Sequence, residues 1–228
     1  MNSPSYTGKH LQITPAGAYQ CASTDSTDPA SKILAKLLGY RTCPPISAEL
    51  INEWITIEMP AADKIIARME SIQWLECVNT PPSVDEGKLE DILPAILTPL
   101  SSDNKVLLAD GQGFYICAVG IPHETAEELS ALSADLSLLT ERHQGLLKGN
   151  LNFSSSNWAL VDAGGFSQLS FWPLRIDKEV FHLAIFGMPQ LERNEFAQLV
   201  WLLHTRYASS SDSTDLKSFS LLHKTRAK

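Results

Sequence analysis

The chain has 228 residues, 44% of them hydrophobic and 19% charged, with a formal net charge of −8. That length and balance suit a globular chain of one or two domains with a sizeable core, and the negative sign makes phosphate backbones and anionic membranes poor partners. No apolar run approaches the ~20 residues that cross a bilayer, and no basic start leads into an apolar run with a small-residue cleavage site. Four cysteines stand singly at Cys21, Cys43, Cys77 and Cys117, without the spacing of a zinc site or a redox couple. The expectation is a cytoplasmic protein with reduced thiols, no metal and no cofactor.

Residues 1–30 are rich in Ser, Thr and Pro and read as a mobile segment, with His10–Tyr19 expected as a short strand. Residues 31–80 carry three helical signals. Ser31 is placed to cap a helix bearing Ile33, Leu34, Leu37 and Leu38, with Gly39 as its stop. After Pro44 and Pro45, Ser47 opens a second helix with Leu50, Ile51 and Trp54 on one side, and Met59-Pro60 opens a third with Ile65, Ile66 and Met69. Trp74–Val78 has the composition of a strand. Three short helices followed by a strand resemble a winged-helix module. The third helix sets Lys64 and Arg68 against Asp63 and Glu70, so it lacks the basic stripe of a DNA reader, and a role in protein contacts is expected. Residues 81–87, which begin Pro-Pro-Ser, read as a linker.

From residue 88 the pattern sharpens. Leu89–Leu100 predicts a short helix despite Pro94. Val106–Ala109 and Tyr115–Val119 flank Asp110-Gly111-Gln112-Gly113-Phe114, and Trp158–Val161 leads through Asp162-Ala163-Gly164-Gly165-Phe166 into Gln168–Leu174. In both, apolar runs meet Asp plus two glycines, the chemistry of a tight hairpin turn. Between the hairpins, acidic Glu124, Glu127 and Glu128 open a long helix carrying Leu129, Leu132, Leu136, Leu139, His143 and Leu146, with Ala131, Ala134 and Leu138 on a neighbouring stripe. Val180–Phe186 predicts a last strand and Leu191–Tyr207 a closing helix. The expected fold is mixed α and β: a five-stranded, mostly antiparallel sheet flanked by a long helix and terminal helices. Residues 209–228 read as a disordered tail that ends basic and mildly amphipathic.

On the hydrophobic run into Asp110-Gly111-x-Gly113-Phe114 and out to Gly120, the Ala/Leu-rich helix Ala126–Leu139, and the element order, residues of about 88–208 resemble a roadblock domain, the family of the dynein light chain roadblock proteins, Ragulator subunits and bacterial polarity GTPase-activating proteins. The resemblance implies a dimer joined edge to edge through the sheet strand Trp158–Val161, with the long helices packed together. It implies an interface drawn from Leu129, Leu132, Leu136, Leu139, Trp158 and Leu160, the helical stripes being divided between sheet and partner. It also implies binding to a small Ras-like GTPase or another protein, without a catalytic residue of the chain's own. Phe114, Tyr115 and Phe171 are the aromatic candidates for partner contact. Trp172-Pro173 departs from the pattern, since proline cannot donate to a strand ladder.

Enzymatic motifs are otherwise missing. Gly111-Gln-Gly113 precedes a strand and not the helix that a dinucleotide fingerprint requires, and no Gly-x-x-x-x-Gly-Lys-Ser/Thr or Gly-x-Ser-x-Gly occurs. Asp110 and Asp162 fit best as turn residues whose carboxylates meet local amides. Arg142 and Arg175 are the candidates for an arginine finger supplied to a GTPase, although an exposed structural arginine is the commoner case. The expected function is a dimeric, non-enzymatic scaffold or regulator of a small GTPase. A transcriptional regulator using the winged-helix-like module, or a small-molecule sensor, would be the alternatives.

Overall fold

The computed structural model describes residues 6–23, 28–85 and 87–208; the tail at 209–228 lies outside them. In chain order the elements are β1 (His10–Ile13), α1 (Pro15–Ser23), α2 (Pro29–Leu38), α3 (Ala48–Ile55), α4 (Met59–Ser71), β2 (Leu75–Val78), α5 (Leu89–Leu97), β3 (Val106–Ala109), β4 (Tyr115–Val119), α6 (His123–Arg142), β5 (Trp158–Val161), β6 (Ser167–Ile176), β7 (Glu179–Phe186) and α7 (Asn194–Tyr207). A 3-10 turn, Thr98–Leu100, follows α5, and a π turn, Gly145–Asn150, follows α6. The protein is thus mixed α and β around an antiparallel five-stranded sheet of order β4-β3-β7-β6-β5.

The two Asp–Gly hairpins are built alike. The Asp110 carboxylate accepts from the amides of Gln112 (2.9 Å) and Phe114 (3.0 Å), and the Asp162 carboxylate from those of Gly164 (2.8 Å) and Phe166 (3.0 Å). Gly113 and Gly165 take φ values of 88° and 83°, a region costly for a residue with a Cβ. These aspartates satisfy local backbone donors, and each turn has a bulge beside it, at Leu108/Ala109 and Leu160/Val161.

The pleat sends alternate side chains to opposite faces. Leu108, Leu174, Leu183 and Ile185 join a large core with Phe196, Leu199 and Leu203 of α7, whereas Leu107, Ala109, Phe171 and Ala184 form a smaller cluster with Ala126 and Leu129 of α6. The sheet is therefore sandwiched between α6 and the other helices. Pro173 finds a simple place on it. The Gln168 carbonyl accepts from Gly187 at the β7 end, so even-numbered residues of β6 aim their polar groups toward β7 and odd-numbered ones toward the β5 side. Pairing with β5 reaches only Phe171. Position 173 therefore faces open edge, where a missing N–H costs little.

The N-terminal half departs from expectation in four ways. Residues 10–23 are no loose extension: β1 pairs antiparallel with β2, and Ala18 and Ala22 of α1 are buried in the large core. Tyr19 packs edge-on to Trp172, ring centroids 6.2 Å apart, and its hydroxyl accepts from Asn157 (3.0 Å). Helix α2 begins at Pro29 under an Asp28 cap that also accepts from the Ser31 hydroxyl; Ser31 is therefore inside the first turn. Ser47 does cap α3, accepting from Leu50 at 3.2 Å.

The three-helix module is also no separate unit. Ile33, Leu37, Ile51 and Ile66 share one core with the sheet and α7, and the Trp201 indole donates to the Tyr40 carbonyl at 2.7 Å. The linker read at 81–87 is docked at both ends. The Cys43 amide donates to the Pro82 carbonyl, Val84 to Arg41, and the Arg206 guanidinium to the Gly87 carbonyl at 2.7 Å.

Candidate interaction face

Strand β5 ends the sheet, and all four of its residues are exposed. It pairs with β6 in the register Trp158↔Phe171 and Leu160↔Leu169. Because Leu169 and Phe171 belong to the α6 cluster, Trp158 and Leu160 lie on the α6 side of the sheet. The Trp158 indole donates to the Thr140 hydroxyl at 2.7 Å, which fixes the last turns of α6 over this strand. Outward from β5 run unpaired backbone donors and acceptors, a template for another strand.

Helix α6 buries little of itself. Ala126, Leu129, Ser130 and Ser133 face the sheet; the serine hydroxyls turn back onto carbonyls of their own helix, Ser130 to Ala126 at 2.9 Å and Ser133 to Ser130 at 2.8 Å. Small residues here let the helix sit close to the strands. At 100° per residue, Leu132, Leu136 and Leu139 share one flank and Ala131 and Ala134 the other. A Cβ added at Gly113 would lie 3.3 Å from that of Ala134, so the alanine flank meets the β3–β4 turn and the leucine flank looks toward β5.

Of the helix leucines, Leu132 and Leu139 are exposed, at 42% and 37%, Leu136 is half-buried and Leu129 is buried; Leu138, also exposed, lies on the alanine flank. Leu129 is thus a core residue and not an interface residue. Trp158 and Leu160 are 36% and 61% exposed. These five remaining positions form one surface of helix flank and strand edge, to which Val161 adds a neighbour that the sequence reading did not single out. Leu146, which the leucine spacing places on the long helix, lies instead in the π turn that follows it, and it is exposed with Leu151 and Phe153 along the connection from α6 to β5.

The aromatic candidates do not gather there. Phe171 is 5% exposed beneath α6, so packing removes it from any partner contact. Phe114 is exposed on the β3–β4 turn, next to the opposite edge of the sheet. Tyr115 is half-buried, its hydroxyl 2.6 Å from His123 Nδ1. Arg142 is exposed at the end of α6, and Arg175 is half-buried on β6 opposite Val180.

Burial holds several thiols and imidazoles elsewhere in their neutral forms. Burial pushes the Cys21 thiol up to about 12 and holds the His204 imidazole down at about 4, and the two lie 3.8 Å apart. A nucleophilic cysteine needs the reverse, a stabilised thiolate beside an imidazolium. Cys43, Cys77 and Cys117 are also raised, chiefly by burial. Among the described residues, no group of three or more His, Cys, Asp or Glu side chains is placed to hold a metal, and no helix is long and apolar enough to cross a membrane.

Compared with known proteins, the chain matches no family model, and no curated protein matches its sequence.

Proposed function

We propose that this chain is a non-enzymatic homodimer built on a roadblock-type domain over residues 88–208, acting as a scaffold or regulator of a small Ras-like GTPase. The observation that carries the reading is the exposed β5 edge beside the leucine flank of α6. A strand edge with Trp158, Leu160 and Val161 exposed is an aggregation hazard in a monomer, and pairing with the same strand of a second copy removes it with closed two-fold symmetry. The same operation would bring the Leu132 and Leu139 flanks of the two long helices together, supplying an apolar centre for the interface. The strand order β4-β3-β7-β6-β5, with one long helix crossing between the hairpins, fits the resemblance drawn from the sequence.

A dimer of this kind binds by shape, favouring one nucleotide-dependent conformation of its partner over another. Affinity capture from a lysate of the source organism, with GDP in one arm and a non-hydrolysable GTP analogue in the other, tests this. Retention of a Ras-like GTPase with one nucleotide over the other supports the regulatory reading; equal or no retention of any GTPase defeats it while leaving the dimer to be judged separately.

A further inference from the structure

A crevice of about 740 Å³ runs between the β1 and linker segments on one side and helices α5 and α7 on the other. Its walls combine apolar groups, among them Val84, Ile92 and Trp201, with the carboxylates of Asp85, Asp91 and Glu195; among the described residues no Lys, Arg or His lines it. Part apolar and part acidic, such a slot suits a segment that brings both hydrophobic and cationic side chains. It disfavours nucleic acid and anionic lipid by charge.

The chain carries such a segment. Residues 216–228, outside the described residues, read Leu-Lys-Ser-Phe-Ser-Leu-Leu-His-Lys-Thr-Arg-Ala-Lys, with four cations, no carboxylate side chain, and Leu216, Phe219 and Leu222 at three-residue spacing. The tether favours it over a free partner. Arg206, one residue before the end of α7, donates to the Gly87 carbonyl on the crevice wall at 2.7 Å, so the chain leaves its last helix beside the rim. From Glu195 to that exit, α7 rises roughly 18 Å at 1.5 Å per residue. Residues 209–216 extend up to about 26 Å, enough to bring Lys217 to the far carboxylate. A loop of that length costs little to close and holds the segment at a high effective concentration.

We propose that residues 216–228 dock in cis into the acidic crevice, with Phe219 and Leu222 against the Ile92–Trp201 wall and Lys217 and Lys224 paired with Asp85, Asp91 and Glu195. The tail is then a built-in occupant of the crevice. The proposal is independent of the dimer, because it is read in a single chain.

The test uses the full chain. Zero-length carbodiimide coupling, which joins a lysine amine to a carboxylate in contact with it, is followed by peptide mass spectrometry of the single-chain species. Trypsin cleavage after Lys217 and Lys224 is timed in parallel. The proposal expects links from these lysines to Asp85, Asp91 or Glu195 in the single-chain species. It also expects cleavage about tenfold slower than in the Phe219→Asp variant, given the burial of one aromatic side chain. That substitution lies outside the described fold and leaves the body of the protein intact, and Glu195→Gln provides a second arm with the same expected direction. Equal cleavage rates in all three proteins would overturn it, as would links confined to a two-chain species, which would place the tail on a second copy.

Discussion

Gly17→Ala offers a sign test of how the N-terminal segment is held. In an exposed helix the change is favourable, because glycine costs a helix about 1 kcal/mol relative to alanine. In this fold Gly17 is buried on α1, and an added Cβ would lie 1.8 Å from the Trp74 carbonyl oxygen and 2.7 Å from its carbon. Both neighbours are backbone, so the helix or the strand entry must move by about 1 Å or more to restore ordinary contact. That carbonyl also accepts from the Thr14 amide at 3.2 Å, and the Thr14 hydroxyl donates to Gln73. Overpacking costs roughly 1–3 kcal/mol and loss of the hydrogen bond about 1 kcal/mol, against which the helical gain offsets about 1 kcal/mol. The net is a loss of about 2 kcal/mol, or a Tm lower by roughly 4–8 °C in a chain of this size. Thermal and urea unfolding of the two proteins measure it. An unchanged or raised Tm would refute the docking of α1 on the Trp74 turn.

Acid sensitivity follows from His204. Its folded imidazole titrates at about 4 against the ordinary 6.5, so the unfolded chain takes up the proton first as pH falls. Its contribution to stability is complete above pH 6.5 and is lost as pH falls toward 4, by about 2–3 kcal/mol at pH 4.5; urea midpoints at pH 7.5 and 4.5 should show a smaller drop in His204→Gln than in the parent chain. His182, lowered mainly by burial, acts in the same direction. Asp162→Ala removes the acceptor of two backbone amides in the β5–β6 turn and should cost about 1–2 kcal/mol in urea unfolding. Asp162→Asn, which keeps an acceptor, should cost less than half as much; equal losses would show that the charge and not the turn geometry matters.

What could be read from the sequence divides by the range of the interactions involved. The strands β3, β4 and β5 begin and end where the residues alone place them, because Asp–Gly turns specify themselves within a few positions. Helix α1 escaped notice because its sequence, Pro-Ala-Gly-Ala-Tyr-Gln-Cys-Ala-Ser, is built for close approach. Small residues leave no apolar stripe to detect, and only the approach of Gly17 to Trp74 and the packing of Tyr19 on Trp172 and Phe196 show how the helix docks. Pro82 and Ser83 looked like linker because their composition is that of a linker. Their docking depends on backbone pairing with Thr42 and Cys43, about 40 residues earlier in the chain, which composition does not encode. Along α6 the leucine spacing announced a helix with more apolar surface than one sheet can cover. It could not say that Leu129 turns inward while Leu132 and Leu139 stay out, since that choice is made by the close approach of Ser130 and Ser133 to the strands.

The central claim is that the β5 edge and the α6 flank are covered by a second copy. Sedimentation of the full chain and of its Leu160→Lys variant at about 10 μM, a concentration well above the Kd of a standard-sized interface, tests it most directly. Leu160 is 61% exposed, so the substitution leaves the folded subunit intact. It sets a buried, unpaired charge only in the dimer. The account predicts twice the chain mass for the parent protein and a single, fully folded chain for the variant. A parent protein that sediments as one chain, or a variant that remains a dimer, would contradict it.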